Sequence, residues 1–324
     1  MLPMRVTMRD VAARAGVSLK TVSRVINREP HIRPETQQLV RAAIEDLGWI
    51  PNSAARTLRT GRTGVIGIVV TELRRPLLAE LVETLVTEVN ARGLNAAVEP
   101  THDDDDRLTQ VWAQRGVTFD GLLAVDLPQL PAPSSGSGEA DGGPVVRVDV
   151  TQAGGRRSGD RVATDLDQAA ELVTRHLAVM GRHHPVQLGP GPLASRSHIP
   201  VVELGAHVGR AAGYRAAQRA VVAHPGVDVM ICGTDEVALG ALAGLHAAGL
   251  SVPEQVAVIG FGALDDGWFA TPSLTTIDPE PRVLARSAVD LLARRLADEG
   301  DATPAEVLVP VTLVRRESTL GAGG

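Results

Sequence analysis

The stretch "VTMRDVAARAGVSLKTVSRVIN", residues 6–27, decides how the chain begins. Its apolar residues recur at helical spacing in two short bursts, Val11, Ala12 and Ala15, then Val22, Val25 and Ile26. Thr7, three residues before Asp10, has the form of a capping box opening the first burst. Gly16 permits a tight turn, and Ser18 is a ready N-cap for the second. A third apolar stripe (Ile32, Leu39, Val40, Ala43, Ile44, Leu47) starts near Pro34 and stops at Gly48. Two short helices around a glycine turn, closed by a third, describe a helix-turn-helix.

Such a module reads bases in the major groove from the first turns of its second helix. Leu19 and Lys20 stand there, with Arg24 one turn on. Lysine and arginine donate to guanine, and leucine offers an apolar face to a thymine methyl. Thr7, Ser18, Thr21, Ser23, Asn27 and His31 complete the expected DNA contacts, chiefly to phosphates that position the module. Lys20 is the only lysine of the chain.

Working outward, charge separates the head from the rest. Residues 1–62 hold ten arginines and Lys20 against five acids, a net of +6, inside a chain of net charge −6. A basic head on an acidic body points to a polyanionic partner for the head alone. The 324 residues suffice for two or three domains, and no apolar run reaches membrane-spanning length. Without a signal-peptide pattern at the N-terminus, the expected location is the cytoplasm. One cysteine, Cys232, excludes an internal disulfide and reads as a small core residue.

The head closely resembles the LacI/GalR family of bacterial transcriptional repressors, almost continuously from Val6 to Thr63 and including "IRPETQQLVRAAIEDLGWIPNSAARTLRTGRT". The resemblance implies a helix-turn-helix over residues 1–50 and a hinge helix and linker over 51–62. Asn52, Ala55 and Arg56 would touch DNA, and Leu58 would wedge into the minor groove at the operator centre. It also implies a homodimer on a pseudo-palindromic operator. Arg33 departs from the family's hydroxyl cap on the third helix, at a small expected cost in stability.

After residue 62, short apolar strands alternate with amphipathic helices, from "VIGIVV" and "PLLAELVETLVTEVNARGL" to "DEVALGALAGLHAAGL" and "VAVIGFG". This is the α/β pattern of doubly wound parallel sheets, which take ligands at the carboxyl ends of their strands. "TDEVALGALAGLHAAGLSVPEQVAVIGFG", "TPSLTTID" and "VTLVRREST" resemble the family's periplasmic-binding-protein-like effector domain. That implies an N-subdomain of about 63–161 plus 281–308 and a C-subdomain of about 162–280 plus 309–320. The family's cleft positions fall on Thr71, Asp149, Thr164, Thr234, Asp235 and Gly262, and Trp268 is expected near the cleft mouth. The effector implied is a small molecule, by family habit a sugar.

Three departures mark the body. Gly262 stands where the family usually has a carboxylate that grips sugar hydroxyls. Between "QLGPGPLASRS" and "HIPVVELG" there is no room for the family's helix, or for the arginine it carries, so the C-subdomain is shortened. "PQLPAPSSGSGEADGG" replaces another helix and has the composition of a flexible loop. Two alternatives follow: a regulator that has lost sugar control and answers to another ligand or none, and a sugar-binding protein without a regulatory role.

Catalytic and metal readings find little. "THDDDD" is the solvated, dipole-favoured start of a helix, and His183 and His184 point to opposite faces of any strand. "GPGP" lacks the lysine and helix of a phosphate loop. No nucleophile, base and acid form a set, so neither enzyme activity nor a cofactor nor a metal is expected.

Overall fold

The computed structural model describes residues 6–26, 32–49, 61–131, 142–151, 159–193, 199–205, 208–297 and 303–321. They form two compact units, Met1–Thr63 and Gly64–Gly324. The expected hinge over 51–58 and most of the Pro/Gly/Ser loop, 132–141, lie outside the described residues, as do Asn27 and His31.

The first unit holds α1 (Met8–Ala15), α2 (Leu19–Ile26) and α3 (Pro34–Leu47). Val11, Val22, Val25, Val40, Ala43 and Trp49 make its core. Gly16 and Gly48 end α1 and α3 in the left-handed conformation, where glycine avoids the Cβ penalty. Leu39 is a correction to the α3 stripe, because it is 56% exposed. At 100° per residue it sits roughly a quarter-turn from the line through Val40, Ala43 and Leu47.

The second unit contains two six-stranded sheets. The first sheet comprises β1 (Val65–Val70), β2 (Asn95–Pro100), β3 (Gly121–Val125), β4 (Val145–Asp149), β5 (Asp160–Thr164) and β11 (Glu306–Val309). Its strand order is β11-β5-β4-β3-β1-β2, all parallel. The second comprises β6 (Pro185–Leu188), β7 (Val201–Val202), β8 (Val229–Cys232), β9 (Ala257–Phe261), β10 (Thr275–Asp278) and β12 (Thr312–Val314). Its order is β12-β10-β9-β8-β6-β7, parallel except for the antiparallel edge β12.

Helices α4 (Pro76–Ala91) and α5 (Asp105–Trp112) follow β1 and β2 as the alternation predicts. The acidic run caps α5: the Asp104 carboxylate accepts from the N–H groups of Asp106 and Arg107. In the second sheet, α6 (Leu166–Met180) precedes β6, while α7 (Arg210–Ala223) and α8 (Asp235–Ala247) precede and follow β8. A Cβ on Gly240 of α8 would lie 1.9 Å from the Arg210 carbonyl of α7, so only glycine lets these helices approach so closely. Cys232 is buried among Val186, Leu188 and Met230, and burial pushes its thiol well above the usual range.

Two subdomain boundaries shift from their expected places. β5 belongs wholly to the first sheet, so that subdomain runs to Thr164 rather than residue 161. β11 likewise ends at Val309, one residue past the expected 308. The chain therefore crosses between sheets three times: between β5 and α6, between β10 and α10 (Pro281–Leu296), and between β11 and β12. No helix occurs among the described residues between β6 and β7, in keeping with the expected shortening.

Candidate functional site

In the first unit the candidate interface is the outer face of α2. Ser18 caps it, its hydroxyl accepting from the Thr21 N–H at 3.1 Å and sharing a hydrogen bond with the Thr21 hydroxyl at 2.8 Å. Val22 and Val25 turn inward, and Lys20 projects roughly 170° away from them on the helical wheel. Leu19 and Lys20 are exposed, and Thr21, Ser23 and Arg24 are half-buried along the flanks. At the start of α1 the Thr7 N–H and hydroxyl both donate to the Asp10 carboxylate, at 2.8 and 2.7 Å. Those bonds hold the Asp10 carboxyl below its ordinary pKa. The Thr7 proton is therefore engaged locally, and it must turn outward to reach a phosphate. Arg33 precedes α3 and gives it no side-chain cap.

In the second unit the expected cleft residues do come to the carboxyl ends of strands, but most of their polar groups are already spent. Thr71 directly follows β1 and Thr164 ends β5, and both are buried. The Thr164 hydroxyl makes no hydrogen bond. Asp149 ends β4 with its carboxylate clamped by two arginines: Arg161 Nε donates at 2.7 Å and Arg147 at 3.3 Å. Arg161 also donates to Glu306 on β11 at 2.7 Å, tying three neighbouring strands together by charge. Asp149 is thus held in place by two arginines of its own subdomain.

Asp235 stands in the first turn of α8, behind the Thr234 cap, whose hydroxyl accepts from the Val237 N–H at 3.3 Å. Its carboxylate accepts from the Thr276 hydroxyl at 2.6 Å and the Leu264 N–H at 2.8 Å. Burial pushes its pKa up to about 6 against those two stabilising bonds. The arrangement fastens the loop after β9 to α8, so here too the carboxylate is occupied. Trp268 is 61% exposed, and its ring packs under Arg316 of the C-terminal segment at 5.0 Å.

Sequence reading missed a third strand-end carboxylate. Asp126, after β3, accepts from the N–H groups of Val150 and Thr151 and from the Thr151 hydroxyl, with Arg75 at 3.8 Å. It also missed Gln187 on β6, which is fully buried with neither amide atom hydrogen-bonded. No local signal in the sequence marks either. Among the described residues, no group of three or more His, Cys, Asp or Glu side chains is placed to hold a metal ion. No described helix is long and apolar enough to cross a membrane.

Comparison with known proteins bears on the same two regions. Residues 7–52 match the profile of bacterial regulatory proteins of the lacI family, and residues 166–319 match a periplasmic binding protein-like domain. A relative in Pectobacterium carotovorum subsp. carotovorum, the HTH-type transcriptional repressor PurR, is 30% identical over 337 residues, covering 96% of each chain. Among solved structures, a lac repressor dimer bound to operator and the anti-inducer ONPF superposes with a TM-score of 0.76 at 23% identity, covering 97% of this chain and 99% of that one. A putative LacI-family transcriptional regulator from Sanguibacter keddieii superposes with a TM-score of 0.66 at 29% identity, covering 81% of this chain and all of the other. The exposed polar face of α2, on a three-helix head joined to two parallel-sheet subdomains, agrees with these matches, and the chain belongs to the lacI family of bacterial regulatory proteins.

Proposed function

We propose that the protein represses transcription in the cytoplasm as a homodimer on a pseudo-palindromic operator. One α2 would enter the major groove of each half-site, with Leu19, Lys20 and Arg24 reading bases and Thr7, Ser18, Thr21 and Ser23 setting the register. Asn27, His31 and the hinge residues Asn52, Ala55, Arg56 and Leu58 would complete the contacts around a kinked operator centre. The observation that carries this reading is the outward polar face of α2, opposite a buried valine seam, in a head of net charge +6. Its symmetry follows from the isologous pairing of a C₂ dimer with two half-sites.

Selection of bound fragments from a random DNA library by the full chain tests it. A two-fold symmetric consensus is the expected result, and binding indifferent to sequence at fixed salt would remove the reading. On the effector, Thr71, Thr164 and Thr234 remain the positions nearest a ligand at the strand ends. A regulator without sugar control is the better-supported alternative, because Asp149 and Asp235 are already engaged and Gly262 brings no carboxylate.

A further inference from the structure

The second unit's largest apolar cluster does not stop at the subdomain boundary. It runs without a break from Ile66, Ile68 and Val148 of the first sheet to Ile231, Ile259 and Phe261 of the second, taking in Leu77, Leu193 and Leu264. Leu77 lies in the first turn of α4, the helix that follows β1. A Cβ built on Gly262, at the end of β9 in the other subdomain, would be 3.7 Å from Leu77 Cδ2. The two faces of the cleft therefore approach so closely at this point that a single added methyl group would bring them into van der Waals contact.

The shortened crossover after β6 closes the same ground. A Cβ on Gly233 would fall 1.7 Å from the Pro190 carbonyl, and one on Gly191 would fall 2.5 Å from Gln187 Nε2. Pro190 and Gly191 thus pack tightly against the carboxyl ends of β6 and β8, where a sheet of this kind takes its ligand. Leu193, at the end of that loop, is wholly buried in the shared cluster. Thr71, Asp149, Thr164, Thr234 and Asp235 are all at most 9% exposed. The strand-end carboxylates Asp126, Asp149 and Asp235 are each satisfied from within the chain.

From these observations we infer that the cleft rests closed on the protein's own side chains, with Leu77, Leu193 and Leu264 standing where an effector would otherwise bridge the subdomains. The closed state needs no polar ligand to hold it. The inference rests on the reading of this unit as the repressor's regulatory half, and it replaces sugar control with closure built into the chain. Gly262 belongs to the device. Its φ of 135° suits glycine alone, and a carboxylate there would project toward Leu77 and Asp235.

The test measures the distance between spin labels at Thr109→Cys in the first subdomain and Val222→Cys in the second, in the full chain with Cys232→Ala. The protein is first unfolded in urea and refolded to strip any bound molecule. One short distance is expected, unchanged by a panel of sugars or by a small-molecule extract of the host cell. Leu77→Asp should lengthen it and Leu77→Met should not, with Gly262→Asp as the second variant if Leu77→Asp does not fold. A long or broad distance that shortens only with extract would overturn the inference, and so would an unchanged distance in both aspartate variants. Operator affinity of the stripped protein should stay within about twofold on adding extract, whereas a rise of about tenfold would also overturn it. Failure to select any operator, with the labels reporting a short distance, would remove the repressor reading and leave the closure standing.

Discussion

The outer face of α2 and the strand ends of the second unit were both expected to bind something, and they differ in how their polar groups are held. On α2, Leu19 and Lys20 stand in solvent, and Ser18 caps the helix by accepting from the Thr21 N–H. At the strand ends, Asp149 and Asp235 are more deeply buried than most apolar residues, and each accepts from two donors. A family resemblance transfers the position of a residue, but only the surrounding structure shows whether its lone pairs are available. A carboxylate accepting from arginine is a fastening.

Removing Asp149 should break the comparison hardest. Asp149→Ala leaves Arg147 and Arg161 buried without their shared anion and should destabilise the second unit by about 3–5 kcal/mol. Chemical denaturation of the full chain reads this directly. If the variant keeps its stability and changes only a ligand response, Asp149 is an open site after all.

Asp235 gives the next largest effect, and it depends on pH. Its native pKa of about 6 lies above the 3.8 of an ordinary aspartate, so between those values the native state holds a proton that the unfolded state has released. Stability from this group is present below pH ~4 and is lost as pH rises toward 6, about 3 kcal/mol in all. Asp235→Asn should flatten that part of the profile, measured as the difference between variant and parent unfolding free energies from pH 4 to 7. Equal slopes would show that Asp235 ionises normally.

On the α2 side, Lys20→Ala should cost ~1–3 kcal/mol of operator binding and relax preference at one symmetric pair of bases. A uniform loss across all sequences, with a smaller salt slope, would instead make Lys20 a phosphate contact. Smallest is Arg33→Ser, which supplies the missing cap on α3 and should stabilise the first unit by about 0.5–1 kcal/mol. Thermal unfolding of the parent and variant compares them, and no gain would mean that water already caps this end.

What the sequence made legible follows the range of the interactions. Thr7 with Asp10, Gly16, and Ser18 with Thr21 are local devices, and their spacing is visible in any window of a few residues. β5 escaped reading because "DRVAT" carries Asp160 and Arg161 into a buried strand, neutralised by Arg295 and Glu306 from far along the chain. The fate of Asp235 was equally hidden, since Leu264 and Thr276 are brought to it only by the fold. The missing helix after β6 was readable as a length, whereas the close approach of Leu77 to Gly262 required coordinates.

The three crossings between the sheets also set an order of assembly on the ribosome. The α1–α3 core is complete once Trp49 has been made, so the head can fold while the body is still being synthesised. Neither sheet of the body can close so early. The first waits for its edge strand β11 at Glu306–Val309, and the second waits for β12 at Thr312–Val314. Both subdomains therefore finish close together, as β11 and β12 follow one another within nine residues, from Glu306 to Val314. A nascent protein carries a finished head well before either sheet of the body is complete.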